Sequence, residues 1–475
     1  MINICWYFFK VGVAVVIVGG VATGVYLYAR MDDEIRAHVE GLLADRFPQF
    51  KVSVGGARLV EGKGIAVYEL SLKSLGLNAA DETLLSIDEL LLCCDVELAT
   101  LVQGAPPVHR VEIKRPQVFL RRSAAGRWNV ESLLPIQPCG ASVPQIVVQN
   151  GVLTVSDGAA DDRPPLVVRD IDLTASPVSQ AAMAGGLPSV KVEGSAGGPH
   201  VRRIELNATC DGGTGLCNGK VTIQQLQLGE PLYAWIEPLL PSVARATRVT
   251  GMIDGAVSAT WQCGGAAPPT FAAKLALSGG RLIDPRLSQP VTELAGDVVV
   301  DSRQLAIEDL RGKWKSAAVA ISLNRSGWAA NAPIGLAARL DDAPLDEDLT
   351  TVLTTAANPP NAVGIPIANL LLQECQKYRP TGYANATIQA TFDGQTWLPT
   401  ATLEGRQLTF ESDKFAYRLT DGAGTIRFTP RDGVELPKLA INLTAVAGGQ
   451  RLRIDGEVID PRPGAAGWVQ VQGEG

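Results

Sequence analysis

Residues 249–261 read Val-Thr-Gly-Met-Ile-Asp-Gly-Ala-Val-Ser-Ala-Thr-Trp. Val249, Ile253, Val257, Ala259 and Trp261 share one parity, and Thr250, Asp254, Ser258 and Thr260 the other. In an extended chain successive side chains point to opposite faces, so this stretch is a strand with one apolar and one polar face. The same alternation returns in 316–323, with Ala317, Val319, Ile321 and Leu323 together, and in 333–340, with Ile334, Leu336, Ala338 and Leu340 together. Between such runs stand Gln149-Asn150-Gly151, Ser156-Asp157-Gly158, Arg325-Ser326-Gly327 and Phe392-Asp393-Gly394. These are turn formers, and the pattern predicts antiparallel strands joined by short turns. From Lys51 onward helical periodicity is rare, and the expected total is roughly 20–25 strands, each about 4.8 Å from the next.

The deciding stretch occurs twice. Arg248-Val249-Thr250-Gly251 has its counterpart in Arg379-Pro380-Thr381-Gly382, 131 residues on (379 − 248). Asp254 matches Asn385, Val257 matches Ile388, and Trp261 matches Phe392. Ala295-Gly296 matches Ala423-Gly424 at an offset of 128 (423 − 295). A helix-like stretch precedes each copy, 231–241 and 367–378. One helical turn and its strands are used twice, and such units stack against their neighbours. The expected divisions are an amino-terminal β region at 51–230, a first β repeat at 231–360 and a second at 361–475.

The amino terminus is different. Val11–Ala29 carries no charge, and at about 1.5 Å per residue it nearly crosses a hydrocarbon core of about 30 Å. Trp6 and Tyr7 before it, and Tyr26 and Tyr28 at its end, suit the two interfaces. Lys10 precedes the span and Asp32, Asp33 and Glu34 follow. The expected topology is a cytoplasmic 1–10, a transmembrane anchor at 11–29 and a body on the far side of the membrane. Residues 31–48 then read as a short amphipathic helix, with Ile35, Val39, Leu42, Leu43 and Phe47 on its stripe and Pro48 at its end. Its polar face lacks the Lys/Arg excess of a helix lying on a membrane surface, so it is expected to cap the sheet.

Composition excludes several classes. The 475 residues carry 42 Lys+Arg against 49 Asp+Glu, a net charge of −7, which is too acidic for a dedicated nucleic-acid binder. With 46% hydrophobic and 19% charged residues the chain is too apolar to be disordered. His38, His109 and His200 are far apart, and no HExxH, GxSxG, phosphate-loop or dinucleotide fingerprint occurs. Asp161-Asp162 and Asp341-Asp342 lie in turn-like polar stretches. No catalytic residue, cofactor site or metal site is assigned, and the chain is expected not to be an enzyme. Cys93 and Cys94 read as small buried hydrophobes, whereas Cys210 and Cys217 flank a turn and are a candidate disulfide, with two free thiols as the other reading. Arg248 and Arg379 are expected to pin the start of each repeat by salt bridges, or to meet phosphate groups.

Several segments together resemble the AsmA family, within the wider TamB-like and chorein-type bridge group. They are the amino-terminal apolar segment with its short helix, 64–72 (GIAVYELSL), 87–120 with its Val108-to-Leu120 run, Arg127-Trp128-Asn129 before a Leu-Leu pair, and 146–175. The resemblance implies a chain anchored in the inner membrane, single-pass, with its body in the periplasm. It implies a twisted, elongated, taco-like antiparallel β-groove with a few short helices, and a role in phospholipid movement or outer-membrane upkeep. Its implied partners are phospholipid, the inner membrane and outer-membrane or envelope proteins.

The residues themselves lead the same way. A long sheet with one apolar face and few helices to cover it leaves that face for a ligand or membrane. Acyl chains fit it, gaining about 0.8 kcal/mol per CH₂ buried. The candidate groove residues are Val249, Ile253, Val257, Trp261, Val319, Ile321, Leu323, Ile334 and Leu336, and charge placed at Val319 or Ile321 is expected to abolish lipid uptake without unfolding. The alternative is an envelope scaffold that captures client β-strands at its sheet edges.

Overall fold

The computed structural model describes residues 32–74, 83–94, 108–123, 127–130, 143–158, 163–178, 188–236, 247–262, 268–285, 287–329, 331–348, 350–351, 354, 372–373, 375–412, 415–431, 435–461 and 465–474. The expected membrane span, 11–29, lies outside them. Among the described residues no helix is long and apolar enough to cross a membrane. Among the described residues the protein is mainly β, with 23 strands and few helices.

The chain divides into two compact units, Met1–Val221 with Thr260–Ala267, and Thr222–Ala259 with Pro268–Gly475. Strands of the two repeat copies therefore share the second unit.

The described part of the first unit opens with helix α1 (32–46). It continues through β1 (Phe50–Ser53), β2 (Gly56–Val60), β3 (Gly64–Ser74), β4 (Thr83–Cys94), β5 (Val108–Lys114), β6 (Gln117–Arg122), β7 (Gln145–Asp157), β8 (Leu166–Val178), β9 (Ser189–Gly198) and β10 (Val201–Cys210). Ile35, Val39 and Leu43 of α1, spaced to share one face, pack on a buried cluster of Val52, Val54, Val67, Leu70, Leu72, Ile87 and Leu90. Leu42, on the same sequence stripe, stays about half exposed.

The sheet is not purely antiparallel, contrary to expectation. β5 and β6 both pair parallel with β7, through Ile113↔Val148 and Leu120↔Val155. Arg115 adopts φ 49° and Pro116 has no N–H, so one strand is broken there into β5 and β6. The return through residues 123–144 is long enough for the crossover that a parallel pair demands. Asn129 closes the end of β6, its Oδ1 accepting from Arg121 N (3.0 Å) and its Nδ2 donating to Phe119 O (2.8 Å). Trp128 forms a bridge with Arg122 beside it.

Strands β11 (Leu216–Leu228) and β12 (Arg248–Gln262) contribute residues to both units. Between them is helix α2 (Glu230–Ile236). The second unit continues with β13 (Thr270–Ile283), β14 (Val291–Asp301), β15 (Gln304–Trp314), β16 (Ala317–Ser326), β17 (Ile334–Leu345), β18 (Thr381–Phe392), β19 (Trp397–Ser412), β20 (Phe415–Thr429), β21 (Lys438–Ala447), β22 (Gln450–Ile459) and β23 (Gly467–Glu474). From β13 to β23 each strand pairs antiparallel with the next.

β-Bulges interrupt many of these ladders. Asn150, Gln225, Glu293, Asp309, Asp342, Gln407 and Asp421 have φ between 47° and 58°. All but Gln225 sit where the register between two paired strands slips. A bulge bends its strand and increases the local twist, so successive bulged strands curve where flat ones would not. The two repeats hold their left-handed residues alike. Asp254 Oδ1 accepts from the N–H of Gln225 (2.8 Å), and its counterpart Asn385 Oδ1 accepts from the N–H of Asp342 (2.9 Å). Gly251 (φ 148°) and Gly382 (φ 125°) both lie against the neighbouring strand, where a Cβ would meet Gly280 Cα at 2.8 Å and Gln407 O at 2.5 Å. The duplicated Thr-Gly and the Asx three residues later are therefore a duplicated device that holds a left-handed residue of the neighbouring strand.

Candidate functional site

Direct cross-strand partners lie on the same face, so the registers trace rows across the second unit. Leu275, Val298, Ile307, Leu323, Leu336, Ala390 and Pro399 form one row. Ile321, Ala338, Ile388, Ala401, Phe428, Leu439 and Val458 form the next. Val319, Leu340, Ala386, Leu403, Ile426 and Ile441 form a third. The opposite face carries Ser322, Ala337, Gln389 and Thr400 in one row and Arg339, Thr387, Thr402 and Arg427 in another.

Burial distinguishes two zones on the apolar face. Val291, Leu294, Trp314 and Val319 form a closed cluster, with Val249, Leu277, Leu282, Leu287, Leu310, Ile321 and Leu340 packed around it. Farther along the strands the face opens. Leu275, Val298, Ile307, Leu323, Leu336 and Ala390 are half-buried, and Ile388 is 38% exposed. At the end of β18, Phe392 faces Trp397 with ring centroids 5.3 Å apart, and Trp397 is 50% exposed. Asp393 fixes the turn between them, accepting from the N–H groups of Gln395 and Thr396 (both 2.8 Å), and these bonds hold its carboxyl below the usual aspartate range.

The nine groove candidates divide accordingly. Ile321, Leu323, Ile334 and Leu336 lie half-buried on one face, because Ile321 opposes Ala338, Leu323 opposes Leu336, and Ile334 opposes Arg325 of the same parity. Val319 shares that face but is 7% exposed within the closed cluster. A charge there would be buried unpaired and would unfold its surroundings, so Val319 is not the benign test position the alternation suggested. Val249, Ile253, Val257 and Trp261 are half-buried on β12. Val249 joins the margin of the closed cluster, and the Trp261 ring lies over Gly219, within the first unit.

The first unit has its own apolar rows. Leu92, Val111, Ile146, Ala175, Val192 and Ala208 form one, and Leu90, Ile113, Val148, Leu173, Gly194 and Leu206 another. Helix α1 lies at the Leu90 side of these rows.

Arg248 pairs with Glu230 of α2, and Tyr233 Oη accepts from the N–H of Val249 at 2.5 Å, so α2 anchors the start of β12. Burial pushes the Tyr233 hydroxyl up, and it stays protonated at neutral pH. In the second copy the N–H of Arg379 donates to Cys375 O (2.8 Å). Cys210 and Cys217 are joined in a disulfide across the β10–β11 turn. Asp211 in that turn accepts from the N–H groups of Thr214 (2.7 Å) and Gly213 (2.9 Å). Cys94 is buried and Cys93 half-buried; burial pushes the Cys93 thiol up. Among the described residues no group of His, Cys, Asp or Glu is arranged to hold a metal ion.

No family model matches the chain, and no curated protein matches it.

Proposed function

We propose that the chain is a membrane-anchored envelope protein whose apolar sheet face forms a groove for acyl chains, serving phospholipid transport between membranes or outer-membrane biogenesis. The observation that carries this reading is the half-burial of the apolar rows through Leu323 and Leu336 beside an ordinary closed cluster at Val291, Leu294, Trp314 and Val319. A completed core would bury both zones alike. Local bulges that bend successive strands suit a concave, taco-like face, with the headgroups left in water. The uncharged 11–29 run supplies the anchor, and the resemblance to the AsmA family supports the periplasmic placement and the lipid cargo.

Acyl chains are a natural occupant because the rows carry Leu, Ile, Val and Ala with no charge except Arg325 near the strand ends. Each methylene covered contributes about 0.8 kcal/mol, so a uniform apolar lane would hold a chain while letting it slide. The test is lipid extraction from the purified chain after exhaustive detergent exchange. Phospholipid retained in stoichiometric amount is the expected result. A lipid-free chain carrying a bound polypeptide would favour strand capture instead.

A further inference from the structure

The apolar face of the second unit has one further row toward the strand ends. Val300 opposes Leu305, Leu305 opposes Arg325, Arg325 opposes Ile334, Ile334 opposes Phe392, and Phe392 opposes Trp397. Arg325 is the one charged residue among these six, and the rows traced through Leu323, Ile321 and Val319 carry none.

A cation on the apolar parity is costly unless something meets it. A guanidinium has five N–H donors. Among the described residues that of Arg325 makes one hydrogen bond, from Nη2 to Ala329 O (2.9 Å), and its Nε is buried without a partner. The guanidinium is therefore half-buried, fixed by one bond and left with donors for an anion.

The turns beside it are tied together. Gly327 N–H donates to Arg303 O (2.6 Å) and Trp328 Nε1 to Asp301 O (3.0 Å), and a Cβ at Gly394 would meet Asn331 O at 2.9 Å. Trp328 thus has its one polar atom satisfied while 48% of it stays exposed. With Trp397 it puts two exposed indoles on this rim. Indoles favour the zone where hydrocarbon meets polar headgroups.

The length of the open stretch also fits. From Arg325 to Val319, where the face closes, the strand advances six residues (325 − 319), or about 20 Å. The hydrocarbon of one bilayer leaflet is about 15 Å deep, half of a core of about 30 Å. Acyl chains whose headgroup lies at Arg325 would end just short of the closed cluster.

We infer that Arg325 marks a phosphodiester site at the rim of the apolar face. Its guanidinium takes the phosphate of a phospholipid, Trp328 and Trp397 border the glycerol-ester region, and the acyl chains run back toward Val319. The inference rests on the acyl-groove reading and adds to it the orientation of the cargo.

The experiment loads the full chain in detergent from an equimolar mixture of dioleoyl phosphatidylethanolamine and dioleoylglycerol, which share their acyl chains and differ in the phosphate. Retained lipid is counted by mass spectrometry after detergent exchange. The unsubstituted chain should prefer the phospholipid by about ten-fold or more, the scale of a charge-assisted hydrogen bond. Arg325→Met should lose that preference while still loading dioleoylglycerol. Arg303→Met removes the same charge from an exposed turn position outside the row and should keep it. Phospholipid loading should also survive excess inorganic phosphate; its abolition would assign Arg325 to a free anion and overturn the inference. Equal loading of the two lipids by the unsubstituted chain, a preference retained in Arg325→Met, or one lost equally in Arg303→Met would each overturn this site and leave the groove standing. A chain that loads neither lipid overturns the groove and the site together.

Discussion

Leu323 and Leu336 oppose each other directly on β16 and β17, half-buried on the open part of the apolar face. The double substitution Leu323→Glu with Leu336→Lys makes that spot polar. The sheet loses about 1 kcal/mol per leucine of partial burial, and the cross-strand ion pair returns about 0.2–1 kcal/mol. The melting temperature should therefore fall by only a few degrees. A bound acyl chain loses more. It forfeits about 1 kcal/mol of contact with the two leucines and meets a charged pair whose desolvation costs at least about another 1–2 kcal/mol. The sum, about 2–3 kcal/mol, corresponds to roughly 30–150-fold weaker retention. Ser322 and Ala337 oppose each other on the other face, so Ser322→Glu with Ala337→Lys is the matched control. Phosphate per protein after detergent exchange, measured with a thermal melt, reads both effects. Equal loss of lipid from both pairs, or unchanged lipid in the leucine pair, would refute the assignment of the face.

Other outcomes follow from the same geometry. Asp254→Ala and Asn385→Ala each leave the N–H of a left-handed residue without its side-chain acceptor and should cost about 1–3 kcal/mol in urea unfolding; neutral effects at both would contradict the capping role. Gly382→Ala should destabilise far more than Gly448→Ala, because the added Cβ meets Gln407 O at 2.5 Å at the first site and open space at the second; equal melts would contradict this. The Cys210–Cys217 link closes a short loop, so its reduction should cost about 2 kcal/mol, and unreduced peptide mass spectra should show the pair joined. The Asp211 and Asp393 carboxyls are held low by hydrogen bonds from the backbone N–H groups of Thr214 and Thr396. With folded values depressed, their stabilisation is complete above the unfolded value and is lost as pH falls through the folded one. Carboxyl NMR titrations should inflect below the usual aspartate range, and an inflection within or above it would contradict the turn geometry.

The alternation at Val319, Ile321 and Leu323 made the strands and their apolar parity legible, because period two survives any tertiary context that covers one face. Depth of burial was not legible. Val319 and Leu323 have the same parity, and only the neighbours of Trp314 and Leu294 separate a closed position from an open one. The bulges were hidden for a related reason, since a slip belongs to two strands and nothing in Asp342 alone announces one. A signal was nonetheless present in the repeat, where Asp254 and Asn385 recur three residues after Gly251 and Gly382. The parallel pairing of β7 depends on where residues 123–144 return the chain, which local pattern does not encode.

The most direct measurement places a photo-activated benzophenone residue at Leu336 or, separately, at Ala337 in the full-length chain within native membranes, and identifies the cross-linked species by mass spectrometry. Lipid adducts at 336 and not at 337 are the result an acyl-lined face predicts. Protein adducts at 336, or lipid adducts of equal yield at both positions, would contradict it.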